Sequence, residues 1–259
     1  MSKGRYVLAD GLLPWLLPLG LIIVWETGSR AGLISSRVLP APSAVLLAGW
    51  HLALTGELWT NIAISFWRAM AGLVIGGSLG FAFGLTNGLS RNCERLTDTL
   101  LQMVRNIPHL ALIPLVILWF GIDETAKIFL VVLGVFFPIY LNTLHGIRSI
   151  DPQLIEMAKT YGMSRAELFW QVILPGALPS IFVGLRYALG FMWLTLIVAE
   201  TIAASSGIGY MAMQAREFLL VDIVVFSILL YAFLGKVADI AARLLEKRFL
   251  RWNPAFQNQ

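Results

Sequence analysis

Arg68, Arg186, Lys236 and Asp239 sit inside or beside long apolar runs, where an ionisable group is expensive and is a functional candidate by default. Lys236 and Asp239 are three residues apart on one helix face, a spacing that predicts a local ion pair. Arg68 falls in the outer third of one run and Arg186 in the inner third of another. Each could snorkel to lipid headgroups, or line a path for an anion. Pro108 and His109 join them as candidate path residues. A proline inside an apolar run leaves carbonyls unpaired, and such breaks are tolerated where protein or a water-filled path receives them.

Catalytic chemistry has little to stand on. His51, His109 and His145 are scattered over different segments, and neither a His-Glu-x-x-His motif nor a pair of catalytic aspartates occurs. One cysteine, Cys93, excludes an internal disulfide and any multi-cysteine metal site. There is no Gly-x-x-x-x-Gly-Lys-Ser/Thr loop to cradle ATP phosphates, so any ATP and Mg must be bound by a partner. No catalytic residue, metal site or cofactor in this chain is expected, and no nucleic-acid partner.

The elements that must position these side chains are membrane helices. Of the 259 residues 58% are hydrophobic and only 13% charged, against roughly a quarter charged in an average soluble domain. Lipid accepts apolar exteriors on helices whose backbone bonds are satisfied internally. The reading is an all-α membrane protein, a single domain over 1–259, with six transmembrane helices at about 12–28, 62–87, 101–120, 126–144, 181–200 and 221–244. The first run follows Lys3 and Arg5 and lacks a small-residue cleavage site, so it is read as a retained span rather than a secretory signal. Ser43 is expected to cap a short interfacial helix bearing Trp50, with Trp59 beyond it. In the second span Gly72, Gly76, Gly80, Gly84 and Gly88 recur every four residues, a ladder that lets another helix approach closely. Arg91, Glu94, Arg95 and Asp98 are expected to form a polar turn after it. The third span is interrupted at 106–109 and by Pro114, and the fourth carries Pro138.

Between the fourth and fifth spans lies the longest polar segment flanked by apolar ones, 150–180. Asp151 caps a helix with Pro152 at its first position, and Leu154, Ile155, Ala158 and Tyr161 recur on one face until Gly162 stops it. Ser164 and Glu167 make a capping box for a second helical turn, and Pro175 and Pro179 are expected to break the chain before the fifth span. A helix-turn-helix between two spans is a surface for a partner.

Lysine and arginine set the orientation. With the N-terminus inside, the inner segments hold Lys3, Arg5, Arg91, Arg95, Arg148, Lys159, Arg165, Arg243, Lys247, Arg248 and Arg251, and the outer ones only Arg30, Arg37, Lys127 and Arg216. Both termini and the 150–180 segment are therefore expected in the cytoplasm.

Glu156-Met-Ala158, then Gly162, then Val172-Ile-Leu174-Pro175 resembles the EAA motif of permease subunits of binding-protein-dependent ABC importers. Met157 replaces an alanine of that pattern and Val172 an isoleucine, while the spacing is kept. Arg105 to Gly121, Ile173 to Ser180, Ala199-Glu-Thr-Ile202 and Leu250-Arg-Trp-Asn-Pro254 extend the likeness, within the nitrate, sulfonate and taurine branch, to nearly the whole chain. The resemblance implies a MetI-like type I ABC importer permease fold in a bacterial inner membrane. It also implies a homodimer, two cytoplasmic ATPase subunits that bind ATP and Mg, and a periplasmic sulfonate-binding protein. Glu156, Ala158, Gly162, Leu174 and Pro175 would carry ATPase coupling. Aliphatic sulfonates are the implied cargo, with taurine, nitrate or another small anion open, and an ion-coupled secondary transporter as the rival of a different class.

Overall fold

The computed structural model describes residues 3–252, with side chains from Leu16 onward apart from that of Ala203, and every regular element among them is helical. The side chains of Lys3 and Arg5 and the residues Asn253 and Pro254 lie outside the described residues. The helices pack as two compact units, Met1–Asn61 with Met211–Leu230, and Ile62–Tyr210 with Tyr231–Gln259.

In the first unit α1 (Lys3–Arg30) leads to α2 (Pro42–Leu54). Ser43 is not the cap of α2, as the sequence suggested. That place belongs to Ala41, which has no side-chain acceptor, so the free N–H of Ser43 goes to Glu26 Oε2 of α1 at 3.0 Å, and the Ser43 hydroxyl donates to Glu26 Oε1 at 2.8 Å. A carboxylate from another helix thus caps α2. Trp50 and Trp59 are exposed, on α2 and at the start of α3 (Glu57–Leu89).

The second unit carries most of α3 and then α4 (Arg91–Asn106), a 3-10 turn at His109–Leu112, α5 (Ile113–Phe120) and α6 (Glu124–Arg148). Arg91, Glu94, Arg95 and Asp98 are helical rather than a turn. Ser90 accepts from Cys93 N and starts α4 ten residues before the expected span. Arg91 and Arg95 are exposed, whereas Glu94 and Asp98 turn toward α6, where Glu94 pairs with Arg148; a polar stretch whose partners lie on another helix reads as a turn when only polarity is counted. The break that follows is real: α4 and the His109–Phe120 segment meet at 84°. Pro114 is no part of that break. It occupies the first turn of α5, where its missing N–H needs no partner.

After α6 come α7 (Pro152–Thr160), α8 (Arg165–Leu168), a π turn at Phe169–Ile173, α9 (Leu174–Ala203), α10 (Ile208–Glu217) and α11 (Val221–Phe249). Pro175 and Pro179 do not break the chain, and helix runs from Arg165 to Ile202. Pro175 removes the donor that would serve the carbonyl four residues earlier, and the wider pairing of the π turn just before it re-pairs that stretch. Four helices among the described residues are long and apolar enough to cross a membrane, and the bent pair makes up to five. The first expected span, 12–28, falls on α1, whose first half lies outside the described side chains.

The glycine ladder of α3 faces α6. A Cβ at Gly76 would stand 2.6 Å from Val132 O, at Gly80 2.5 Å from Phe136 O, and at Gly84 2.8 Å from Tyr140 O, while one at Gly72 would strike the Val131 side chain. Gly146 and Gly184 do the same between α6 and α9, against Ala177 O and Pro138 O. Close backbone approach is how helices in lipid gain packing without a hydrophobic drive between them.

Candidate functional site

Arg68 is 1% exposed, so it does not snorkel. Its Nε and Nη2 donate to the two oxygens of Glu124 at 2.6 Å each, a bidentate pair, and Nη1 donates to Glu200 Oε1 at 2.8 Å and to Ser206 O at 2.6 Å. Glu200, equally buried on α9, also accepts from Ser65 Oγ, from the Tyr231 hydroxyl at 2.9 Å and from Gly209 N at 2.9 Å. Lys127 adds a 3.0 Å bond to Glu124, so two cations face two carboxylates and the cluster is neutral. It ties α3, α6, α9, α11 and the chain entering α10. Gly207 has φ +108, and a Cβ there would stand 2.5 Å from Glu200 Oε1, so only glycine lets the backbone pass over the carboxylate.

Arg186 lies 3.4 Å from Asp239 and 3.8 Å from Glu246. Asp239 also meets Arg243 at 3.0 Å and Lys236 at 3.7 Å, the expected three-apart pair. The Arg186 charge is therefore balanced on α11.

The third arginine near the spans is differently placed. Arg105, in the last turn of α4, and His109, just past the break, line a cavity of about 300 Å³ with Gly134, Phe137, Pro138, Leu141 and Asn142 of α6 and Tyr187 and Phe191 of α9. The His109 ring stands edge-on to Phe137 at 5.9 Å and is held through Nδ1 by Ile107 O at 3.1 Å. Pro108 sets the bend beside it. Arg68 and Arg186 do not reach this cavity.

The 150–180 segment is built much as its sequence asks. Asp151 accepts from Gln153 N at 2.8 Å, α7 ends before Gly162 at φ +80, and the Ser164–Glu167 capping box is formed in both directions. The predicted face of α7 splits, however. Ala158 is buried with Ile147, Ile150, Leu168, Ile173 and Ala177, and Ile155 packs against them, whereas Leu154, Met157 and Tyr161 are 43%, 50% and 81% exposed. An apolar edge is left open, with the exposed Glu156 on the same helix; its carboxylate makes no hydrogen bond or ion pair among the described residues. Leu174 and Pro175 are half-buried at the start of α9.

Sequence reasoning missed Glu124, Glu200, Ser65 and Tyr231, and it gave Arg105 no role at a site. One signal was available: Glu200 and Arg68 are opposite charges in two apolar runs, and each is too costly alone in lipid. Among the described residues no group of three His, Cys, Asp or Glu is arranged to hold a metal ion.

A charge cluster around the buried Arg68–Glu200 pair, a broken helix and an open apolar helix edge describe a helical membrane protein, and comparison with known proteins agrees. The chain is 65% identical over 243 residues, 94% of its length and 92% of the relative's, to a protein of Escherichia coli K12 named as an aliphatic sulfonates transport permease, SsuC. It is 38% identical, over 92% of its length and 88% of the relative's, to the taurine transport system permease protein TauC of the same organism. In fold it is similar to the crystal structure of an amino acid ABC transporter, with TM-score 0.58 and 17% identity over 74% of this chain and 96% of that one. Residues 72–251 match the binding-protein-dependent transport system inner membrane components, and the chain belongs to that family of multi-pass inner-membrane permeases.

Proposed function

We propose that this chain is the permease of an ATP-driven importer of aliphatic sulfonates, working as a homodimer with two separate ATPase subunits and a periplasmic sulfonate-binding protein. The 65% identity to SsuC along nearly the full length of both chains carries the substrate assignment. The missing phosphate-binding loop supports a separate ATPase that holds ATP and Mg. Ligand binding by the secreted partner tests the cargo. An aliphatic sulfonate bound in preference to taurine and nitrate is the expected result, and a preference for taurine favours the reading from TauC.

Both termini and the 150–180 segment face the cytoplasm in this reading. The open edge of α7, Leu154, Met157 and Tyr161, seats in a groove of the ATPase, and Glu156 has its carboxylate available for that partner. Ala158 and Leu168 fasten the segment to α6 and α9, so movement of the ATPase is passed to these helices as levers. Leu174 and Pro175 return the chain to the membrane. Gly162 makes the turn between α7 and α8. Alanine there meets nothing within 4 Å, yet φ +80 costs an L-residue about 1–2 kcal/mol. Gly162→Ala alone is expected to weaken co-purification with the ATPase, and Glu156→Ala with Gly162→Ala to abolish coupled uptake while the permease still reaches the membrane. Full assembly and transport by that double variant would refute the docking assignment.

A further inference from the structure

The cavity at the broken helix has the lining of a ligand site, and we propose that it binds the transported anion itself, as a short-chain organosulfonate, during passage. This deepens the importer reading above and rests on it. Of the three arginines in or near the spans, Arg68 spends its N–H groups on Glu124, Glu200 and Ser206, and Arg186 is balanced by Asp239 and Glu246. Arg105 gives one bond, Nη2 to Gln102 Oε1 at 3.0 Å, and among the described residues no other partner engages its guanidinium. A planar fork with donors to spare suits a three-oxygen anion.

Two neutral donors join it. The Tyr187 hydroxyl has no protein partner among the described residues, and Asn142 commits one N–H to Pro138 O at 2.8 Å and keeps a second. No carboxylate is among the residues that line the cavity, although Glu94 and Asp98 line the adjoining cleft and Asp239 the one beyond Tyr187. Among the described residues Arg105 is thus the one Lys, Arg, Asp or Glu on the lining, and an anion there meets no like charge on the wall. Phe137 and Phe191 supply apolar wall for an alkyl tail. A volume of about 300 Å³ lies at the small end of ligand pockets, which selects short chains. Mixed apolar wall and few polar groups is the usual composition of such sites. The position also fits passage, because the break at 84° puts an irregular stretch of backbone on the cavity, opposite Pro138 of α6, which has no N–H to donate.

The test uses the assembled importer, permease with ATPase and binding protein, in proteoliposomes loaded with ATP, and follows labelled ethanesulfonate. Wild type is expected to take it up, Arg105→Gln to lower the rate by about tenfold or more through loss of a charge-assisted contact, and Arg105→Lys to restore part of it. Phe191→Trp is expected to shift preference from hexanesulfonate toward methanesulfonate. No uptake by wild type overturns the sulfonate reading and this site together. Uptake by wild type that persists unchanged in Arg105→Gln overturns the site alone. Should Arg105→Gln fail to co-purify with the ATPase, Tyr187→Phe and Phe191→Trp decide. Wild-type rates and wild-type chain-length preference in both then overturn the site.

Discussion

Arg68→Ala is expected to destabilise the protein by about 3–5 kcal/mol, the cost of removing one partner from a buried ion pair, and to leave little folded protein in detergent. The guanidinium makes two bonds to Glu124, one to Glu200 and two to Ser206, at 2.6–2.9 Å. Without it Glu200 is a buried carboxylate held only by neutral donors from Ser65, Tyr231 and Gly209. Glu124 is half-exposed and still has Lys127, so it tolerates the loss better. The pair can be separated from the charge. Arg68→Met with Glu200→Met removes both ions, and the double variant is expected to be more stable than Arg68→Ala, since paired removal leaves no unpaired buried charge and orphans only the neutral donors of Ser65, Tyr231 and Gly209. Thermal unfolding of the purified protein, read beside each single variant, checks this. An Arg68→Ala protein that melts with wild type would mean that the cluster holds nothing together.

Gly80→Val is the second large effect. Its Cβ would stand 2.5 Å from Phe136 O and 3.2 Å from Tyr140 N, both backbone atoms that cannot rotate away. α3 and α6 must separate, and overpacking typically costs about 1–3 kcal/mol. The effect here is expected at the top of that range, because the neighbouring glycines at 76 and 84 lose their contacts as the helices part. Gly190→Ala is the control. A Cβ at that position meets nothing within 4 Å, and alanine gains about 0.8–1.0 kcal/mol of helix propensity over glycine. Size-exclusion profiles and unfolding temperatures should therefore move in opposite directions for the two variants. Equal behaviour would show that the ladder carries no packing.

Much of the helical plan could be read from the chain because it rests on local rules. Asp151 and Ser164 cap where their spacing says, and the break near Pro108 follows from proline chemistry. What escaped reading depends on partners distant in sequence. Ser43 looks like a cap until Glu26, seventeen residues earlier, takes its N–H. Pro175 looks like a stop until a π turn accommodates it. Arg68 looks like a snorkelling or path residue because nothing local reveals Glu124 and Glu200, 56 and 132 positions away. For the same reason nothing local marked Arg105 as a site residue. Its distinction is the company of Asn142 and Tyr187 on two other helices, and its lack of the acidic partners that occupy Arg68 and Arg186.

The central claim is that this family member moves aliphatic sulfonates by coupling to an ATPase. The most direct measurement is uptake of a labelled alkanesulfonate into proteoliposomes holding the permease, its ATPase and its binding protein, with ATP and with a non-hydrolysable analogue. Uptake that needs both ATP hydrolysis and the binding protein is the predicted result. Uptake driven by an ion gradient without ATP, or transport of nitrate in preference to sulfonate, would contradict it.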